Sequence, residues 1–270
     1  MSSPAVLATR EWGPSGTDGA AAPVALLVHG IAGWSPTWWR VAPALAELGW
    51  RVVAVDLRGH GTSPRISGVA TAQSLAADIF ATASSLGIHQ LDVLIGHSLG
   101  AAVAMELAHA EPGFARRLVL EDPPGQTRVD DVEFQSNLER EVVAARRDPE
   151  AEVRRELSEN PAWLMEDARQ NVEGRAMCDL ERILASLRAN TAVRPTALAP
   201  VLHVPALYLI ADEERSALGA QREKLLGSLP TEAAAIEFDS GHVIHRDRFD
   251  DYVAAIQQWL DGEPDRRIAR

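Results

Sequence analysis

Cysteine is almost missing from this sequence: Cys178 is the one thiol in 270 residues. A lone thiol can neither close an internal disulfide nor build a thiolate metal cluster, so the chain suits a reducing compartment, and Cys178 is expected to be a packing residue. Positive charge is also in deficit. Lys and Arg number 26 against 38 Asp and Glu, a formal net charge of −12, which repels phosphate backbones and anionic bilayers and argues against nucleic-acid or membrane partners. No apolar run approaches the ~18 residues of a membrane span, and Met1 to Arg10 has neither a basic n-region nor an apolar h-region. A cytoplasmic protein is expected, as a monomer or small homo-oligomer. H-E-x-x-H, paired-cysteine and Walker A patterns are absent too, which leaves zinc-protease chemistry and nucleotide hydrolysis without support.

What is present fits one large α/β domain with an insertion: 46% hydrophobic and 24% charged residues in a chain of this length. Short apolar runs recur at Ala25–Val28, Val52–Val55, Val93–Ile95, Leu118–Leu120, Ala206–Ile210 and Ala235–Phe238, with helical patterns between them. Strands buried on both faces lose their alternation, and parallel neighbours need crossovers of this length, so the runs predict a mostly parallel sheet flanked by helices. The Ala-rich stretch Ala101–Ala110 suits close packing on that sheet, and Val253, Ile256, Trp259 and Leu260 mark a last helix covering it.

Between residues 125 and 195 no strand-like run occurs and charge becomes dense. Leu138 with Val142, and Leu180, Ile183, Leu184 and Leu187, fall at helical spacing, while Pro149, Pro161 and Pro195 punctuate. This predicts a helical cap of three or four helices over 125–195, set between core segments 1–124 and 196–270. The charged runs Glu139–Glu141 and Arg154–Glu156 are expected to be solvated helix faces rather than binding patches.

Chemistry concentrates at Gly96-His97-Ser98-Leu99-Gly100, a G-x-S-x-G placed directly after one predicted strand and before the Ala-rich helix. A serine on so sharp a turn is held in a strained conformation, and its flanking positions must be small where a side chain would meet backbone. The turn also places Ser98 at a helix N-terminus, where free N–H groups stabilise a developing oxyanion. Leu99 N–H is the expected donor, and Ile31 N–H, in the loop after Val28-His29-Gly30, is the second. Ser240-Gly241-His242 follows the last predicted strand, so chain order makes His242 the base. His245 is the competitor, but it sits among Arg246, Asp247 and Arg248, as an exposed helix start would. His29 is expected to shape its loop by hydrogen bonding rather than to act in catalysis.

Together with Asp56-Leu57-Arg58-Gly59-His60-Gly61, these motifs resemble the α/β-hydrolase superfamily over almost the whole chain outside the helical insertion. The resemblance implies an α/β-hydrolase fold with a cap inserted after the sixth strand, and a scaffold role for Asp56–Gly61. It leaves the third triad member open. Relatives commonly place an Asp shortly beyond the strand that here is Ala206–Ile210, where this chain offers Asp212, Glu213 and Glu214. Others, among them certain small esterases and fungal zearalenone lactonases, take the acid from the end of the preceding strand, about 24 residues after the nucleophile, which here is Asp122. Asp122 is therefore the first candidate, Glu214 the alternative and Asp212 the third.

The implied activity is cleavage of a small-molecule carboxylic ester or lactone through an acyl-enzyme, with no metal or organic cofactor required. Dehalogenases and epoxide hydrolases use an Asp nucleophile where this chain has Ser98, and C–C bond hydrolases often carry Trp after the histidine where it has Val243. A C–C hydrolase or cofactor-free haloperoxidase with the same triad is the alternative, and a non-catalytic ligand receptor is a more distant one. Trp34, after the oxyanion loop, and Trp163, in the predicted cap, are candidate pocket walls suited to an uncharged, fairly bulky substrate.

Overall fold

The computed structural model describes residues 3–14, 22–125, 132–189 and 194–262. Parts of the sequence-predicted cap, residues 126–131 and 190–193, and the first two residues lie outside the described residues.

Among them, seven strands form one sheet: β1 (Thr9–Trp12), β2 (Val24–Val28), β3 (Arg51–Val55), β4 (Val93–His97), β5 (Leu118–Glu121), β6 (Ala206–Ile210) and β7 (Ala233–Glu237). The helices are α1 (Val41–Glu47), α2 (Ala72–Ser85), α3 (Leu99–Ala110), α4 (Val132–Arg147), α5 (Pro149–Glu159), α6 (Met165–Met177), α7 (Leu180–Arg188), α8 (Pro195–Leu198), α9 (Arg222–Gly227), α10 (Ile244–Asp247) and α11 (Phe249–Leu260). The strand order is β1-β3-β2-β4-β5-β6-β7, parallel throughout except that β1 pairs antiparallel with β3 at the edge. This is the α/β-hydrolase fold.

Alternate residues of each central strand feed two different cores, as the pleat requires. Leu26, Val28, Val53, Val55, Leu94 and Leu120 pack on one face with Ile79 of α2 and Val103 of α3. Ala25, Leu27, Val52, Ala54, Ile95 and Leu209 pack on the other with Val41 of α1 and Ile256 of α11. Both faces are covered, which is why these strands carry no polar alternation.

Helices α4 to α7 occupy the stretch between β5 and β6. They therefore follow the fifth strand in chain order, one strand earlier than the resemblance implied. Leu138, Val142, Leu180, Ile183 and Leu184 form one small core with Ala32 and Ile66, so α4 and α7 seat on the loops after β2 and β3. Cys178 is buried in this core, and burial pushes its thiol up to about 11. The charged runs depart from expectation in part. Glu152 and Glu156 are buried, and Arg175 of α6 pairs with Glu156 and lies 3.0 Å from Glu141. Glu141, Glu156 and Arg175 form an ionic joint between α4, α5 and α6, while Glu139, Arg140 and Arg154 of the same runs are exposed as expected.

Candidate active site

Because β2, β4, β5 and β6 are parallel, their C-terminal ends share one edge of the sheet. The chain leaves β2 toward β3 and β4 toward β5, in opposite directions, and a crevice opens where such neighbouring strands diverge. The loops after β2 and β4 meet there. A cavity of about 1110 Å³ at this point is lined by Ile31, Ser98, His242 and Trp163, among others.

Ser98 joins β4 to α3 with φ 52° and ψ −118°, a conformation that L-residues rarely hold. Its elbow closes only around glycine. A Cβ on Gly96 would lie 2.4 Å from the Gly100 carbonyl oxygen, and one on Gly100 would lie 2.2 Å from that of Val28. Gly30 is constrained as well, since its Cβ would lie 2.8 Å from His97 Nδ1. Among the described residues, the non-glycine positions with positive φ are Ala32, Ser98 and Asp122. All three cluster at this crevice, as strain held by a surrounding scaffold for a functional purpose does.

Asp122 follows β5, fully buried, with φ 38°. His242 Nδ1 lies 2.6 Å from its Oδ2. Three further donors fix the carboxylate: Ala217 N–H to Oδ2 at 2.8 Å, Ser216 Oγ to Oδ1 at 2.6 Å, and Ala211 N–H to Oδ1 at 3.2 Å. Glu214 is exposed, and its backbone N–H donates to Asp212 Oδ1 at 3.1 Å. Asp212 lies 3.8 Å from Arg215. The structure thus brings Ser98, His242 and Asp122 to one end of the sheet and leaves Glu214 and Asp212 on a neighbouring loop.

The two candidate oxyanion donors are placed by different elements. Leu99 is the first residue of α3, so no intrahelical carbonyl reaches its N–H. Ile31 sits in the turn closed by Gly33 N–H to Gly30 O at 3.1 Å and lines the cavity. That turn is bracketed by His29, buried and held below the usual histidine range by desolvation. It accepts from Leu57 N–H at Nε2, 3.0 Å away, and its Nδ1–H donates to Gly30 O at 2.7 Å. Asp56 accepts from the backbone N–H of Ser35 and Thr62 and so ties the loops after β2 and β3 together.

His245 is not at an exposed helix start. It is buried, and its Nδ1 and backbone N–H both meet the buried carboxylate of Glu121 at 2.9 Å. Arg246 is buried beside it. His97, the residue before the serine, is buried too. Its Nε2–H donates to the His242 carbonyl at 3.0 Å, which ties the elbow to the histidine loop. Burial holds His97 and His245 well below the usual histidine range.

The two tryptophans separate. Trp163 lines the cavity, and its Nε1 donates to Asp247 Oδ1 at 2.7 Å. Trp34 is not among the lining residues. Its Nε1 donates to the Gln170 carbonyl at 3.0 Å, and its ring sits where Gly174 leaves room, so it clamps the loop after β2 to α6. The walls are mixed rather than apolar, with Arg175, Arg215, Arg246, Asn137 and Asn171 among them. A smaller apolar cavity of about 90 Å³, between Ile31, Ile66, Leu75, Ile183 and Leu187, also borders Ser98 and Leu99. Among the described residues, no group of three or more His, Cys, Asp or Glu side chains is placed to hold a metal ion, and no helix is long and apolar enough to cross a membrane.

The model of the alpha/beta hydrolase family matches residues 25–255. The chain belongs to the alpha/beta hydrolase family. Lipase LipV of Mycobacterium tuberculosis is 38% identical over 120 residues, 43% of this chain and 41% of that protein. The chain matches less than half the length of the curated relatives it resembles. Among solved structures, the enol-lactonase from Burkholderia xenovorans LB400 superposes with TM-score 0.74 at 22% identity, covering 94% of this chain and 96% of that one. A thermophilic esterase from Thermogutta terrifontis gives 0.71 at 25% identity, over 94% and 93%. Alpha/beta hydrolases of differing chemistry thus share the scaffold, and the substrate has to be argued from the side chains.

Proposed function

We propose that this alpha/beta hydrolase cleaves a carboxylic ester or lactone through an acyl-enzyme, with Ser98 as nucleophile, His242 as base and Asp122 as the acid of the triad. The observation that carries the reading is the 2.6 Å contact of His242 Nδ1 with Asp122, on a histidine that shares its cavity with the strained Ser98. With Nδ1–H committed to Asp122, Nε2 keeps its lone pair and takes the Ser98 Oγ proton as Oγ bonds to the carbonyl carbon. The N–H groups of Leu99 and Ile31 hold the oxyanion. The carbonyl–oxygen bond of the ester then breaks, the alcohol leaves with the proton from Nε2, and His242 next activates a water that hydrolyses the acyl-enzyme. No step calls on a metal or organic cofactor. The similar proteins described above, a lipase, an esterase and an enol-lactonase, fit this substrate class.

The test is Ser98→Ala, assayed on a panel of nitrophenyl esters and simple lactones. Loss of the nucleophile in a triad enzyme costs on the order of 10⁶ in turnover. A variant that keeps more than about a tenth of the wild-type kcat overturns the assignment.

A further inference from the structure

Arg246 of α10 is a cation in the wrong place for a purely structural residue. It is 4% exposed, lines the cavity that holds Ser98 and His242, and lies with its guanidinium 4.5 Å from the centre of the Trp163 ring. One nitrogen, Nη2, donates to Thr37 Oγ1, itself a lining residue. Among the described residues, Nε and Nη1 are closed to solvent and have no acceptor, and no carboxylate stands within ion-pair distance of Arg246, whereas Arg175 and Arg215 of the same walls have theirs.

The carboxylates whose fields reach it are already engaged. Asp167 accepts from Trp39 Nε1 and Leu164 N–H, each at 2.9 Å. Glu156 is taken by Arg155 and Arg175, and Glu121 by His245. Burial lowers the Arg246 pKa to about 10, which still leaves it charged at neutral pH. A buried charge without a partner is costly to a fold, and the missing partner is an anion. A guanidinium with spare donors is matched to a carboxylate in particular.

We infer that Arg246 binds a free carboxylate of the substrate, so that the ester or lactone cleaved at Ser98 carries a second, anionic end. This rests on the ester or lactone reading above and narrows it. The Thr37 contact and the Trp163 face hold the guanidinium at the cavity wall, while the small apolar cavity beside Ser98 and Leu99 takes an uncharged arm. The substrate is therefore a half-ester of a dicarboxylic acid, or a lactone bearing a carboxylate, and not the uncharged compound that the tryptophans alone suggested.

The experiment compares the monomethyl with the dimethyl esters of succinate, glutarate and adipate, together with calorimetric binding of the free dicarboxylates to Ser98→Ala. The wild type should prefer its best monoester over the matching diester by about tenfold or more in kcat/KM, the scale of one charge-assisted hydrogen bond. Arg246→Gln should erase that ratio chiefly through KM, and Arg246→Lys, which keeps the charge, should retain part of it. Dicarboxylate binding to Ser98→Ala should weaken at least about tenfold when Arg246→Gln is added, a readout that does not depend on ester chemistry. A wild-type ratio near one overturns the inference, as does a ratio or an affinity that Arg246→Gln leaves unchanged. If no ester turns over yet the dicarboxylates bind through Arg246, the anion site stands and the ester reading falls. If no ester turns over and no dicarboxylate binds, both fall. Should Arg246→Gln not fold, the wild-type ratio and the Arg246→Lys protein decide.

Discussion

Glu121 and Asp122, adjacent in the chain, hold two different histidines: Asp122 Oδ2 lies 2.6 Å from His242 Nδ1, and the Glu121 carboxylate lies 2.9 Å from His245 Nδ1. Both carboxylates are fully buried. The pairs differ in what stands beyond the imidazole. His242 lines the cavity with Ser98, whereas the far nitrogen of His245 is buried and has no hydrogen-bond partner among the described residues. Of the two, the Asp122 pair is the one the proposed mechanism uses.

Asp122→Asn is accordingly expected to cost kcat about 10⁴-fold, as the same exchange does in a related triad, while the protein stays folded. Glu214→Gln removes an exposed loop carboxylate and should change kcat by less than about threefold. The check is saturating turnover of one ester near neutral pH, after circular dichroism shows native folding. A crippled Glu214→Gln beside an active Asp122→Asn reverses the choice of acid.

The elbow glycines give a stability prediction. At Gly100 an added Cβ meets the carbonyl oxygens of Val28 and His29, backbone that no rotamer change can move aside. Gly100→Ala should lose stability at or beyond the top of the about 1–3 kcal/mol typical of overpacking. Gly227, where a Cβ meets nothing within 4 Å and φ is not in the left-handed region, is the control. Its alanine variant should be neutral or more stable by up to about 1 kcal/mol. Urea midpoints of the two variants measure the contrast, and equal midpoints contradict the account of the elbow.

Much of this was legible in the sequence, and the exceptions have physical reasons. The buried parallel strands announce themselves because both faces are apolar. β1 does not, since its four residues include Arg10 and Glu11 and it lies half-exposed at the sheet edge. The last strand runs Ala233–Glu237, two residues ahead of the predicted start and one short of the predicted end, because a run of three alanines marks no edge in the pattern. Ser98 stands out because its sharp turn demands glycine at 96 and 100, and His242 because it follows the last strand in chain order. His245 and Arg246 are hidden, since a His-Arg-Asp-Arg run looks like solvated surface and their burial is decided by Glu121 and Trp163, far away in the chain. Trp34 misleads for the same reason. Its neighbours in sequence point to the cavity, but its partners are Gln170 and Gly174 of α6.

Four buried histidines set an acid limit. Burial lowers the pKa of His29, His60, His97 and His245 below the ordinary 6.5, that of His60 to about 3. Below pH 6.5 the unfolded chain therefore takes up protons that the native protein refuses. Stability from these groups is complete above that pH and is lost as pH falls toward the native values. Each histidine adds up to about 1.4 kcal/mol per pH unit to the slope. Glu121, whose pKa burial raises, works in the opposite sense and over two pH units can offset as much as about two of the histidines. Urea unfolding should be less favourable near pH 7.5 than near pH 5.5 by at least about 1 kcal/mol, and an unchanged free energy contradicts the neutral burial of this set.

The central claim is that Ser98 is a nucleophile made reactive by His242, and covalent labelling with a fluorophosphonate tests it most directly. A serine hydroxyl is a weak nucleophile at neutral pH without its base. Mass spectrometry of the labelled wild-type protein should place one phosphonyl group on Ser98, with labelling abolished in Ser98→Ala and slowed by orders of magnitude in folded His242→Ala. Labelling at another residue, or at an equal rate in the His242 variant, contradicts the account.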